Sequence, residues 1–169
     1  MNPSQQPLSP SPLAIERYEF VRLDLTASEK SDAHSELGVK VRRQWGAAEE
    51  NNRHWRMKLA VRFGGEKEGV ESIYSGEIHV IGYFKVHEKY PEAKTKKLIE
   101  VTAASILYGA CREMLANLTA RGPHGMVSLP SLSFIPLPLE SLENSSARVA
   151  EEAPSYGAKK PSGKKRLKK

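Results

Sequence analysis

The chain has 169 residues, 39% of them hydrophobic, enough for one ordinary domain. Its formal charge is +6, but residues 153–169 alone hold seven Lys and Arg and no acid. Residues 1–152 therefore stand at −1, and the basic character belongs to a tail rather than to a folded nucleic-acid-binding surface. A single cysteine, Cys111, excludes an intrachain disulfide and thiolate-rich metal sites, and no apolar run approaches the length of a membrane span.

Residues 1–14 form a Pro/Ser/Gln-rich lead-in, read as disordered. It has no basic stretch followed by an apolar core, so it does not read as a secretory signal, and the expected location is the cytoplasm. Strand-like alternation begins at Tyr18–Leu25, with Glu19, Val21, Leu23 and Leu25 opposite Tyr18, Phe20, Arg22 and Asp24. Leu37 to Trp45 is a second candidate, placing Leu37, Val39, Val41 and Trp45 on one face. The third, Arg53–Phe63, sets Trp55, Met57, Leu59, Val61 and Phe63 against His54, Arg56, Lys58 and Arg62. In the fourth, Ile73–Val86, one face carries Ile78, Val80, Phe84 and Val86. Gly82 among them marks a bulge or a close backbone approach. Polar or Gly-containing connections suit antiparallel pairing.

The period then changes to that of a helix. Lys96 to Arg121 has no proline, and its only glycine is Gly109, a place for a bend or a close helix contact; Gly122-Pro123 stops the run. Its apolar stripe is wider than one face of a four-stranded sheet needs, which points to a partner subunit. After the helix, Met126 to Leu139 is rich in large apolar residues and pinned by Pro130, Pro136 and Pro138. Such an extended segment must cross an apolar surface or line a groove. Residues 139–152 form at most a weak second helix.

Catalytic and metal motifs are not evident. The five histidines lack paired spacing, Cys111 sits on the apolar helical stripe, and no serine has a nucleophile-elbow context. Gly64 to Gly69 reads as a strand-to-strand turn. Gly157 to Lys165 has the wrong glycine spacing for a phosphate loop. The expectation is a protein that is not an enzyme and uses no cofactor. The lysine-rich tail has two readings: a solubilising end, or an arm for nucleic acid, anionic lipid or an acidic protein, whose binding would be salt-dependent.

Two stretches carry a family resemblance. Tyr74 to Phe84 is an aliphatic-aromatic, glycine-containing strand leading toward the long helix. Ala104 to Phe134 contains Leu107, Tyr108, Cys111, Arg112 and Glu113 in the helix, Arg121-Gly122 at its end, and Leu129, Pro130 and Phe134 in the crossover. This resembles the SecB family of bacterial protein-export chaperones and its solitary SecB-like relatives, over roughly residues 15–138. The resemblance implies an α+β fold: a four-stranded antiparallel sheet with a long helix and a weak second helix. The domain would be residues 15–140, with 141–169 a mostly disordered C-terminal segment ending in the basic tail.

The resemblance further implies an ATP-independent holdase for unfolded or nascent polypeptides, assembled as a homo-oligomeric dimer of dimers. Matching positions for a client-binding groove are Met126, Val127, Leu129, Leu132, Phe134 and Ile135, and for a helix-mediated oligomer interface Leu107, Cys111, Met114 and Leu118. The export chaperones typically dock on the translocation ATPase through an acidic-to-neutral tail, whereas this chain ends in Lys164-Lys-Arg-Leu-Lys-Lys169. That departure leaves three readings: a holdase for export, a dedicated chaperone of an antitoxin or other single client, or a nucleic-acid-associated or scaffolding protein acting through its tail.

Overall fold

A computed structural model describes residues 10–30, 37–48, 51–65 and 71–135. The expected weak helix at 139–152, the basic tail and most of the proline-rich lead-in lie outside the described residues. The described part contains four strands, β1 (Leu13–Ala27), β2 (Gly38–Ala48), β3 (Asn51–Gly64) and β4 (Tyr74–Val86). A helical run follows: α1 (Glu92–Leu98), one π-helical turn (Ile99–Ala103) and α2 (Ala104–Thr119). The architecture is α+β, one antiparallel sheet with one long helical run across a face.

The sheet order is β1-β4-β3-β2. Strands β2, β3 and β4 form a meander, and β1 joins the far side of β4, so β1 and β2 are the edges. β1 starts at Leu13, two residues before the expected start of the domain, and runs five residues ahead of the expected strand at Tyr18.

Two register shifts in β1, between Ile15 and Arg17 and between Phe20 and Arg22, reset the expected alternation. A bulge adds one residue and moves everything after it to the opposite face. Opposed residues of paired strands share a face. The register Ile15↔Phe84, Tyr18↔Gly82, Phe20↔Val80 and Leu23↔Ile78 therefore places those four residues on the helix side. Their polar neighbours Arg17, Glu19, Arg22 and Asp24 take the outer side. The grouping of Glu19 and Val21 with Leu23 and Leu25 thus fails at the second bulge, whereas the faces read for β3 and β4 hold.

The core lies between sheet and helix. Met57, Leu59, Val61 and Phe63 from β3 and Ile78, Val80, Phe84 and Val86 from β4 are buried against Ile99, Ala103, Ala104, Leu107, Cys111 and Leu115. Gly82 permits this approach. A Cβ built there would stand 2.7 Å from Leu107 Cδ2 and 2.7 Å from the Phe84 ring, so its role is close approach to the helix; the register runs through it unbroken. Gly82→Ala is expected to lower unfolding free energy by roughly 1–3 kcal/mol through overpacking. Urea unfolding measures this, and an unchanged midpoint would show that Leu107 yields freely. Gly109, by contrast, is exposed with open space around it, and the irregularity of the run sits at the π turn instead.

Cys111 is fully buried, and desolvation pushes its thiol up to about 12. At pH 8 about one thiol in ten thousand is ionised. A thiol–disulfide reagent is expected to react at least about a hundredfold more slowly with the native protein than with the urea-unfolded chain. Equal rates would contradict the burial.

Candidate functional site: an apolar crossover held on the long helix

The helical run turns at Ala120–Gly122 and the chain then extends back over α2 through Gly125–Phe134. An extended segment without strand partners must satisfy its backbone polar groups elsewhere. Helix side chains do this. The Thr119 hydroxyl donates to the Leu115 carbonyl (2.8 Å) and accepts from the Val127 N–H (3.0 Å). Arg112 Nε donates to the Leu129 carbonyl (2.9 Å), and the Tyr108 hydroxyl donates to the Pro130 carbonyl (2.7 Å).

The start of the crossover is tied to the sheet. His124 Nε2 donates to the Ser28 carbonyl (2.7 Å), its backbone N–H reaches the Tyr74 hydroxyl (3.2 Å), and the two rings meet edge-to-face. The far end is held by rings. Phe134 lies edge-to-face on Tyr108, centroids 5.7 Å apart. The Arg43 guanidinium sits 5.6 Å from the ring centroids of both Phe134 and Trp45.

Arg43 is fixed in turn by Glu100. It donates to the Glu100 carbonyl within the π turn and to its carboxylate, both at 2.9 Å. Arg43 therefore lies on the helix side of β2, between Val41 and Trp45, at a position the alternation assigns to the core face. Burial of Tyr108 raises its phenol above the ordinary value, and the hydroxyl is protonated and donating at neutral pH with or without that shift.

The six groove residues expected from the sequence separate by exposure. Leu129 is fully buried and anchors the crossover; Val127 and Phe134 are half-buried against the core. Met126, Leu132 and Ile135 are 70%, 41% and 59% exposed, respectively. The crossover is thus one buried anchor carrying three large apolar side chains in water. The four residues expected at an oligomer interface also separate. Leu107 and Cys111 have no accessible surface and belong to the chain's own core, Met114 is half-buried, and Leu118 is exposed. Part of the wide helical stripe is therefore covered within the chain, by the crossover lying against Tyr108, Arg112 and Thr119.

Further exposed apolar side chains line the edge strand β1: Ile15, Tyr18, Val21 and Leu23. Three of these are on the helix side of the sheet. Among the described residues no group of three or more His, Cys, Asp or Glu is placed to hold a metal ion, and no helix is long and apolar enough to cross a membrane.

The roles of Arg43, Arg112, Tyr108 and Thr119 in holding the crossover were not read from the sequence. One signal was present: Arg43 is a lone cation on an otherwise apolar strand face, which requires an acidic or carbonyl partner.

Comparison with solved structures places this fold. A SecB-like chaperone of Mycobacterium tuberculosis, Rv1957, solved in complex with a ChAD peptide from the antitoxin HigA1 (Rv1956), aligns with a TM-score of 0.54 at 13% identity. The alignment covers 72% of this chain and 88% of that one. A Streptococcus agalactiae protein of unknown function aligns with a TM-score of 0.42 at 14% identity, covering 70% of this chain and 97% of that one. No family model matches the sequence, and no curated protein matches it. The four-stranded antiparallel sheet with its long helix is a SecB-like fold.

Proposed function

We propose that this protein is an ATP-independent chaperone that holds unfolded polypeptide segments on the apolar surface of the crossover. The observation that carries the reading is the strap itself. Helix side chains secure its backbone at three points, the Val127 N–H and the Leu129 and Pro130 carbonyls, yet Met126, Leu132 and Ile135 remain in water. An apolar surface that is built and kept open has a binding role. Burying a large side chain against it contributes roughly 1.5–3 kcal/mol before ordering costs. The reading involves no catalysis and no nucleotide, so release falls to a partner or to folding of the client.

A narrower reading is a dedicated client. The fold-similar SecB-like chaperone was solved with an antitoxin peptide, which supports a polypeptide occupant and favours an antitoxin over general export cargo. Homo-oligomeric assembly is part of the proposal. It is supported by the unpaired edge of β1, whose 15 residues carry exposed Ile15, Tyr18 and Leu23, and by exposed Leu118 on the helix.

The test is fluorescence anisotropy with two neutral labelled peptides of about 20 residues, one carrying spaced Leu and Phe, the other Ser in their place. The apolar peptide is expected to bind at least about tenfold more tightly, with little loss at high salt. Equal binding of the two, or binding abolished by salt, would overturn the reading.

A further inference from the structure

The outer face of the sheet, opposite the helix, carries a charge pattern that the chaperone reading does not use. Neither β2 nor β3 contains an Asp or Glu. Their outward side chains include Lys40, Arg42, Arg56, Lys58 and Arg62, all exposed. Among the described residues, Lys40, Arg56, Lys58 and Arg62 have no acidic partner. Among the described residues two carboxylates stand at the strip's border: Glu77 on β4, shared by Arg22 (3.5 Å), Arg42 (3.4 Å) and His79 (2.9 Å), and Glu16 on β1, 3.5 Å from His54.

Lys40 and Arg62 stand directly opposite each other, a like-charge pair that weakens pairing of β2 with β3, although Arg62 faces Glu77 across the other strand boundary. Small or neutral side chains, Gln44, Gly46 and Ala60, alternate with the cations and leave two adjoining basins. One, of about 480 Å³, is lined by Arg42, Gln44, Lys58, Ala60 and His79 among others. The second, of about 280 Å³, shares Gln44 and Lys58 and adds Gly46 and Arg56.

We propose that this cationic strip over β2 and β3 is a docking surface for an acidic, extended segment of a partner polypeptide. Charge complementarity and shape select the occupant. The strip is two strands wide, about 10 Å, and Arg56 to Arg62 spans about 20 Å, the track of one extended chain. Same-face residues of a strand repeat every 6.8 Å or so, as do alternate side chains of an extended acidic peptide, so carboxylates meet Arg and Lys in step. On the neighbouring half of this face the carboxylates of Glu19, Asp24 and Glu77 are paired with Arg17 and Arg22, so the net positive strip stays two strands wide, too narrow to track both strands of a nucleic-acid duplex. Of the two outward rings there, Tyr83 is covered by the Arg17 guanidinium at 4.3 Å and His79 is held by Glu77 at 2.9 Å, so neither is free for base stacking. A second copy of this face is excluded as occupant by its own charge. The surface lies opposite the crossover, so an acidic partner and an apolar client can be bound together.

The test uses full-length protein and a fluorescein-labelled twelve-residue Glu-Ser repeat at about 50 mM salt, where exposed charges are weakly screened. Arg56→Gln/Lys58→Gln/Arg62→Gln is expected to weaken binding at least about tenfold, and Lys40→Gln/Arg42→Gln severalfold. Neutralising Lys164, Lys165, Arg166, Lys168 and Lys169 to Gln is expected to change it by less than about twofold. Circular dichroism melts establish that the variants fold; should the triple variant not, the Lys40/Arg42 pair decides. Face variants that bind like the wild type, or a loss confined to the tail variant, would overturn the assignment. So would displacement of the peptide by oligo-dT at lower concentration than by unlabelled peptide, which would mark a nucleic-acid surface. Aggregation suppression by the face variants should be unchanged, which separates failure of this inference from failure of the chaperone reading.

Discussion

Replacing Met126, Leu132 and Ile135 together by serine is expected to weaken binding of apolar, unfolded polypeptide by at least about a hundredfold, with little change in the melting curve. The three side chains project into water from a strap whose backbone is held by Thr119, Arg112 and Tyr108, so their removal leaves the intramolecular core intact. Each loses a contact surface that contributes roughly 1.5–3 kcal/mol when fully covered by a client. Even two thirds of that over three positions, about 3 kcal/mol or more, exceeds the 2.7 kcal/mol or so of a hundredfold change. Anisotropy with the apolar peptide measures the loss, and thermal unfolding followed by circular dichroism checks the fold. Wild-type affinity in the triple variant would place the client elsewhere, with the exposed face of β1 the next candidate.

Leu129→Ala is expected to act in the opposite way, through stability. Leu129 is fully buried and is the anchor between the two ends of the crossover. Truncating a buried leucine costs about 2–5 kcal/mol, the spread reflecting how far the site can collapse. Collapse is limited here, because the backbone is fixed before Leu129 by Thr119 on the Val127 N–H and after it by Arg112 on the Leu129 carbonyl and Tyr108 on the Pro130 carbonyl. The crossover should therefore lift locally before the sheet unfolds. Hydrogen exchange at the Val127 amide, which is bonded to Thr119 Oγ1, should speed up more than exchange in β3. Uniform acceleration in both would show that the crossover opens only with the whole domain. A loss below about 1 kcal/mol in urea would show that Leu129 is not the anchor.

The sheet was legible where alternation is unbroken. In β3 from Trp55 to Phe63, and in β4 throughout, every second residue is apolar or glycine, and the faces read from the sequence are those in the structure. In β1 alternation fails because two bulges each insert a residue. The two phases of its hydrophobic pattern, Ile15 and then Tyr18-Phe20 and then Leu23-Leu25, merge into one face only once the pairing with β4 is known. Bulges have no local side-chain signature of comparable strength, so the register had to come from the partner strand.

The long helix was legible from its period and its glycine-proline stop, but the π turn was not. Its identifiable feature is tertiary: Arg43 from β2 bonds to the Glu100 carbonyl and carboxylate. The crossover was legible as a segment, since proline excludes helix and central strand while its apolar content excludes a free loop. Which of its residues face inward was not, because an extended chain without a strand partner has no period to read. The structure assigns Leu129 inward and Met126, Leu132 and Ile135 outward through the bonds of Tyr108, Arg112 and Thr119. The helical stripe read as too wide for the sheet, which pointed to a partner subunit. Part of its cover is the chain's own crossover, which leaves Met114 and Leu118 as the more accessible of the four residues assigned to a partner subunit.

The most direct measurement dilutes a chemically unfolded polypeptide into buffer without ATP and follows light scattering as the molar ratio of this protein rises. Hydrophobic capture on the crossover predicts suppression of scattering near stoichiometric ratio, retained at high salt and retained when residues 153–169 are removed. Unsuppressed aggregation at any ratio, or suppression lost at modest salt or with the tail, would contradict it.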